Sequence, residues 1–231
     1  MSILLVDRPT TALAPEHPFP TQLRQTIAAI QHLLDIGVSP SSIIIGGDSA
    51  GGNLTLQLAS QILHPHPSIP TLHLPPRTDS SDSSEFSEPF GGMVLISPWL
   101  EYNVDAPSFA RNDPRDIIPL HSWQMFAEII QHDVAPELRH HFEPGVAPRG
   151  WWNGLGRAFP RVLITAGEFE GCVDHIKKTA AAIAEEVQDT TVFVMPGGVH
   201  EDFIDAFAVG EGDRGDDYKL VASWVSASLK L

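Results

Sequence analysis

A serine lies in a Gly-x-Ser-x-Gly pattern in the first quarter of the chain, where residues 47–51 read GDSAG. The apolar run 43–45 directly precedes it, so a buried strand is predicted to lead into a sharp turn that exposes the Ser49 hydroxyl. The two glycines leave room for a strand and a helix to pass closely at this turn. Ser49 is therefore the candidate nucleophile, and the backbone N–H of Ala50 is the candidate oxyanion donor.

A serine hydroxyl is a weak nucleophile, so it needs a base within hydrogen-bond reach and an acid that orients this base. In a parallel sheet with a strand-to-helix elbow, both groups are expected on loops after later strands, in the order serine, acid, histidine. His200 follows a predicted strand in a loop that contains two glycines, residues 197 and 198. His200 is therefore the predicted general base.

Three carboxylates follow the predicted strand 161–166, and each is a candidate for the acid. Glu170 is preferred, because it lies between the strand end and the start of the next helix. Glu168 is close to the strand, and Asp174 falls on the predicted helix. Both also suit a helix N-terminus, where the helix dipole favours negative charge. The choice between Glu170 and Asp174 stays open at this level.

Two further residues are candidates for the substrate pocket, Asp48 beside the serine and Trp99 in the region that follows the third strand. Aromatic side chains in such a region line apolar pockets or simply pack the core. No metal site is predicted. His64, His66 and His73 lie in one loop, but no cysteine or carboxylate with the spacing of metal ligands accompanies them.

Strand and helix patterns alternate along the chain, which predicts an α/β fold with a mostly parallel sheet and helices on both faces. The segment 99–152 interrupts the alternation and is predicted to form a cap-like insertion. The segment 64–90 is rich in Pro, Ser, Asp and His and is predicted to form a flexible surface loop. The whole chain, 1–231, is interpreted as one domain. Strands are predicted at 3–7, 43–47, 93–97, 161–166 and 191–195, and helices at 20–36, 53–63, 119–131, 173–187 and 217–229.

The composition limits the class of protein further. A chain of 231 residues with 42% hydrophobic content can bury one sizeable core. Its formal charge of −15 argues against nucleic acid or an anionic membrane as a partner. The single cysteine, Cys172, excludes an internal disulfide and suits a reducing compartment. The apolar start at residues 3–6 is too short for a membrane span and lacks the features of a signal peptide, so a cytoplasmic location is predicted.

Five segments, in order along the chain, resemble the hormone-sensitive-lipase-like branch of the α/β-hydrolases, the α/β-hydrolase fold-3 family, and especially its fungal esterases. The match runs from about Leu4 to about Phe207. The matching segments are 13–20 (LAPEHPFP), 47–53 (GDSAGGN), 97–99 (SPW), 167–174 (GEFEGCVD) and 196–203 (PGGVHEDF).

This resemblance implies that Ser49 is the nucleophile, Glu170 the acid and His200 the base. It implies hydrolysis of a carboxylic ester through an acyl-enzyme, with neither a metal nor an organic cofactor. Members of the family carry a His-Gly-Gly loop upstream of the Leu-Ala-Pro segment, and its backbone N–H groups complete the oxyanion hole. The sequence begins after that position, so the resemblance implies an N-terminally truncated domain in which Ala50 N–H is the remaining donor.

Three functional hypotheses follow. The first is an esterase that acts on small or medium hydrophobic esters. The second is a binding protein that keeps the fold and the pocket but has lost turnover, which the absence of the His-Gly-Gly segment would permit. The third is an acyltransferase or cyclase of secondary metabolism, because a fold does not fix the reaction. The sequence leaves the physiological substrate and the oligomeric state open.

Overall fold

Five parallel strands form a single sheet in the computed structural model, and they are neighbours in the same order as in the chain. The structure describes residues 3–6, 12–75, 88–131, 134–210 and 215–229. The strands are β1 (Ile3–Val6), β2 (Ile43–Asp48), β3 (Gly92–Ile96), β4 (Arg161–Gly167) and β5 (Asp189–Met195). All five predicted strands are present, and Asp7, the predicted end of the first, lies outside the described residues.

Successive residues of the central strands point to opposite faces of the sheet. On β2, Ile43 and Ile45 belong to the larger core, whereas Ile44 belongs to a smaller one on the other face. Each of these side chains is at most 3% exposed. Burial on both faces explains why this strand appears in the sequence as a continuous apolar run.

Helices cover both faces of this sheet. The larger core receives apolar side chains from the helices 21–35, 49–63 and 173–184. The smaller core receives Trp224 from the helix 216–229. This architecture confirms the predicted α/β fold class. The helices are α1 (Thr21–Asp35), α2 (Ser49–Leu63), α3 (Pro107–Asn112), α4 (Leu120–Ile130), α5 (Arg139–Phe142), α6 (Leu155–Ala158), α7 (Val173–Ala184), α8 (Asp202–Ala208) and α9 (Asp216–Leu229).

The start of α2 differs from the prediction. The helix begins at Ser49, directly after β2, and not at Asn53. Glycine has a low helix propensity and no apolar side chain. Because residues 51 and 52 are glycines, the hydrophobic periodicity did not predict the first turn of the helix. The difference matters for function, because it places Ser49 and the N–H of Ala50 at the very beginning of the helix.

The segment between β3 and β4 contains more helix than expected. Besides α4, which corresponds to the predicted helix 119–131, it contains α3, α5, α6 and short 3₁₀ turns. Helices of four to six residues are too short to show a hydrophobic period, so the sequence did not indicate them. The cap-like role of segment 99–152 stays a prediction.

The predicted loop 64–90 has no helix or strand in the parts that the structure describes, residues 64–75 and 88–90. The rest of this prediction lies outside the described residues. Nowhere in the described ranges is there a helix with both the length and the apolar character that crossing a membrane requires.

Candidate active site

Ser49 occupies a strained turn between β2 and α2. Its φ angle is 45°, in the left-handed region that residues other than glycine rarely adopt. A Cβ atom on Gly47 would lie 2.3 Å from the backbone carbonyl carbon of Gly51, so a side chain at position 47 does not fit. The backbone N–H of Trp99 donates to the Ser49 carbonyl oxygen at 3.0 Å and ties the turn to the end of β3.

Two loops that are distant in sequence bring His200 and Glu170 to this turn. The Nε2 atom of His200 lies 2.9 Å from the Ser49 Oγ, and its Nδ1 atom lies 2.7 Å from the Glu170 Oε2. The tautomer that serves both contacts carries its proton on Nδ1, which donates to Glu170, while Nε2 accepts from the serine hydroxyl. The structure therefore brings the three residues predicted from the sequence into one hydrogen-bonded chain.

Glu170 is fully buried, and hydrogen bonds satisfy its carboxylate. Besides His200, the backbone N–H of Gly167 donates to its Oε1 at 2.6 Å, and the Cys172 thiol donates to its Oε2 at 3.4 Å. The Asn112 amide of α3 donates to the Glu170 carbonyl oxygen at 3.0 Å and fixes the loop. These contacts hold an acceptor in place for the imidazole.

The other two candidate carboxylates point elsewhere. The Asp174 carboxylate accepts from the backbone N–H of Ser108 at 3.0 Å and forms an ion pair with Arg111 at 3.2 Å. Glu168 is exposed, and its Oε2 accepts from the Gly197 N–H at 2.8 Å. Of the three carboxylates on this turn, Glu170 is the one that contacts His200.

The pKa of His200 is set by two opposing effects. Burial of the imidazole, the largest single effect, lowers its pKa, whereas the hydrogen bond to Glu170 and the negative charge of Glu170 raise it. Glu201 and Asp116 add further negative charge, so the net pKa is raised from its ordinary value. The site therefore favours a histidine that readily accepts a proton.

Cys172, the single cysteine of the chain, lies beside Glu170 and His200. Burial raises the pKa of its thiol well above the usual range, and the charge of Glu170 acts in the same direction. Within the described residues, Glu170, Cys172 and His200 are one set of potential metal ligands whose donor atoms lie within 4.8 Å of one another. Each of these donor atoms already takes part in hydrogen bonding within the set. The protonated thiol is a poor metal ligand, so this set fits a hydrogen-bonded cluster better than a metal centre.

Three further residues contact His200 or its loop in a way that the sequence did not predict. The Trp123 ring of α4 packs edge-on against the imidazole, at 5.0 Å between ring centroids and 88° between planes. The Ser97 Oγ accepts from the backbone N–H of Glu201 at 3.2 Å. Asp116 accepts from the backbone N–H of His200 at 3.0 Å. These contacts join segments that are far apart in sequence, so the spacing of residues along the chain does not predict them.

A cavity of about 380 Å³ opens beside the serine turn. Its lining includes Ala50 and Trp99, whereas Asp48 is not part of it. The backbone N–H of Ala50 lies in the first turn of α2, where helical N–H groups have no acceptor within the helix. The full lining is Leu13, Ala14, Phe19, Gln22, Ala50, Gly51, Asn53, Leu54, Gln57, Trp99, Tyr102, Ile130 and Phe142.

Comparisons with known proteins identify the family of the chain. A family model described as alpha/beta hydrolase fold matches residues 9–204. An esterase from Acinetobacter venetianus is 28% identical over 181 residues, which cover 77% of this chain and 49% of that protein. Lipase 2 from a Moraxella species is 44% identical over 229 residues, which cover 87% of this chain and 47% of that protein. The chain thus spans about half the length of these relatives.

Solved structures show the same fold. A crystal structure of an esterase from the bacterial hormone-sensitive lipase family superposes with a TM-score of 0.73 at 22% identity, covering 95% of this chain and 64% of the other. A crystal structure of an esterase/lipase from an uncultured bacterium superposes with a TM-score of 0.71 at 23% identity, covering 96% of this chain and 64% of the other.

Proposed function

The chain belongs to the alpha/beta hydrolase fold family, and we propose that it is a serine hydrolase that cleaves carboxylic esters of small or medium hydrophobic substrates through an acyl-enzyme at Ser49. The observation that carries this proposal is the hydrogen-bonded chain from Ser49 through His200 to Glu170. The names of its relatives, an esterase and a lipase, support the same reaction class.

In the proposed reaction, the Nε2 atom of His200 accepts the hydroxyl proton as the Ser49 Oγ attacks the ester carbonyl carbon. Glu170 stabilises the imidazolium that forms. The Ala50 N–H donates to the developing oxyanion. Collapse of the tetrahedral intermediate breaks the bond to the alkoxy oxygen, which takes the proton from His200 and leaves as an alcohol. Water then attacks the acyl-enzyme with the same base, and the acid is released.

A fluorophosphonate probe tests this proposal. We expect the probe to modify Ser49 in the folded chain and not after heat denaturation, because the native site supplies the base. The labelling rate should rise with pH through the pKa of His200, since only the neutral imidazole accepts the proton. That pKa is raised, so the midpoint should lie above the ordinary histidine value of about 6.5. Labelling is followed by mass spectrometry of the peptide that contains Ser49.

An unlabelled Ser49 in a folded preparation would contradict the proposal. If the probe labels Ser49 but p-nitrophenyl esters are not hydrolysed, the reaction is not ester hydrolysis. The assay is then repeated with a competing alcohol or amine, and product analysis separates acyl transfer from simple binding.

The cavity predicts which acyl chains the site accepts. Ile130 lines the cavity at the end of α4, while its neighbour Ile129 is 38% exposed and is not part of the lining. We expect Ile130→Trp to lower kcat/KM for p-nitrophenyl octanoate by roughly tenfold or more relative to the acetate ester, because a bulky ring occupies space that the longer chain needs. The matched control Ile129→Trp should leave the ratio of the two values nearly unchanged. Equal losses for both esters in Ile130→Trp would show that the acyl chain does not enter this cavity.

A further inference from the structure

Asp116 joins the two loops that carry the acid and the base. It lies between α3 and α4, within the segment 99–152. Its Oδ2 accepts from the backbone N–H of Gly171 at 2.8 Å, and its Oδ1 accepts from the backbone N–H of His200 at 3.0 Å. Gly171 directly follows Glu170, so a single carboxylate contacts both catalytic loops.

The carboxylate is suited to this position by its chemistry. An ionised carboxylate offers two oxygens and only accepts hydrogen bonds, so it can serve two N–H donors from different loops at once. Oδ1 also accepts from the backbone N–H of Ile117 at 2.9 Å, which fixes the orientation of the side chain. An amide at this position would have one acceptor and would direct its own N–H groups at one of the donors.

Asp116 also contributes to the electrostatics of the imidazole without touching the reacting atoms. The groups that face His200 are Glu170 and the Cys172 thiol from the acid loop, the adjacent Glu201, and Asp116 from the segment before α4. The charge of Asp116 acts to raise the pKa of His200, in the same direction as Glu170 and Glu201.

We propose that Asp116 is a positioning residue that sets the distance between the loop that carries Glu170 and the loop that carries His200. The proposal rests on the proposed function, because it assigns to segment 99–152 a part in that reaction. The segment would then shape the catalytic geometry directly, in addition to any role as a cap.

The test compares Asp116→Asn with the unmodified chain and with Asp113→Asn. Asp113 lies in the same loop, is exposed, and accepts from the backbone N–H of Leu120 inside segment 99–152. The first readout is the pKa of His200, measured by NMR of the imidazole nitrogens in the free protein. The second is kcat and KM for p-nitrophenyl butyrate across pH, with thermal unfolding as a check on folding.

In Asp116→Asn we expect the pKa of His200 to fall, because a negative charge near the imidazolium is lost. The acid limb of the kcat/KM profile should move to lower pH by the same amount. We expect kcat to fall on the order of 10- to 100-fold with KM little changed, since displacement of a reacting group by about 1 Å can cost 100-fold. Asp113→Asn should show neither effect, and Asp116→Ala serves as the second variant if Asp116→Asn does not fold.

An unchanged pKa of His200 together with an unchanged kcat in Asp116→Asn would overturn the inference. So would an equal response to Asp113→Asn, which would indicate an effect of net charge alone. If the unmodified chain does not hydrolyse the ester, the proposed function fails. The NMR measurement still decides the role of Asp116 in that case, because it does not depend on turnover.

Discussion

Ser49→Ala is expected to lower kcat for p-nitrophenyl butyrate by roughly 10⁴- to 10⁶-fold, the range typical of removing a serine nucleophile. The substitution deletes the one oxygen that lies 2.9 Å from the base, and alanine cannot form an acyl-enzyme. Folding should be nearly unaffected. Serine and alanine both carry a Cβ atom, so the strained φ of 45° is equally unfavourable for each.

The matched control is Ser60→Ala on the same helix, α2. Ser60 lies near the end of α2 that is opposite Ser49. Its side chain is fully buried, and its hydroxyl accepts from the Trp151 indole N–H at 3.1 Å. We expect this variant to lose stability through the unpaired indole but to keep its activity within a few-fold in the folded fraction. Hydrolysis that survives in Ser49→Ala at the unmodified rate would exclude Ser49 as the nucleophile and favour either a contaminant or a different site.

Glu170→Gln is expected to lower kcat by roughly 10³- to 10⁴-fold, because the acid sets the tautomer of the base. A glutamine can donate its amide N–H to Nδ1 of His200. The imidazole then carries its proton on Nε2, so Nε2 no longer accepts from the Ser49 hydroxyl. The variant also removes the main interaction that raises the pKa of His200. The midpoint of the pH profile should therefore fall below that of the unmodified chain.

Two variants on the same turn sharpen this test. Glu168→Gln removes a charge at an exposed position, and Asp174→Asn removes the partner of Arg111. We expect both to retain activity within about tenfold, because neither carboxylate contacts His200. A large loss in Asp174→Asn with little loss in Glu170→Gln would reverse the assignment of the acid that the sequence left open.

Much of the fold was predictable because it rests on local patterns. A strand buried on both faces appears as a continuous apolar run, as at residues 43–45, and α1 buries Leu23, Ile27 and Ile30 at helical spacing. The predictions failed where the pattern was interrupted or short. The first turn of α2 was not predicted, because it contains two glycines. Helices α3 and α5 were not predicted, because each is shorter than two turns.

The elbow at Ser49, and the loops in which a candidate acid and a candidate base follow it along the chain, could be predicted from the sequence. These features depend on the chain immediately around each residue. The folded structure was needed to establish that Glu170 is the carboxylate in contact with His200, and that Cys172 and Trp123 lie beside this pair. It was also needed to establish that Trp99 but not Asp48 lines the cavity. It also placed Asp116 against loops 55 and 84 residues away. Such contacts depend on how loops approach one another at the sheet edge, and hydrogen bonds between loops follow no period along the chain.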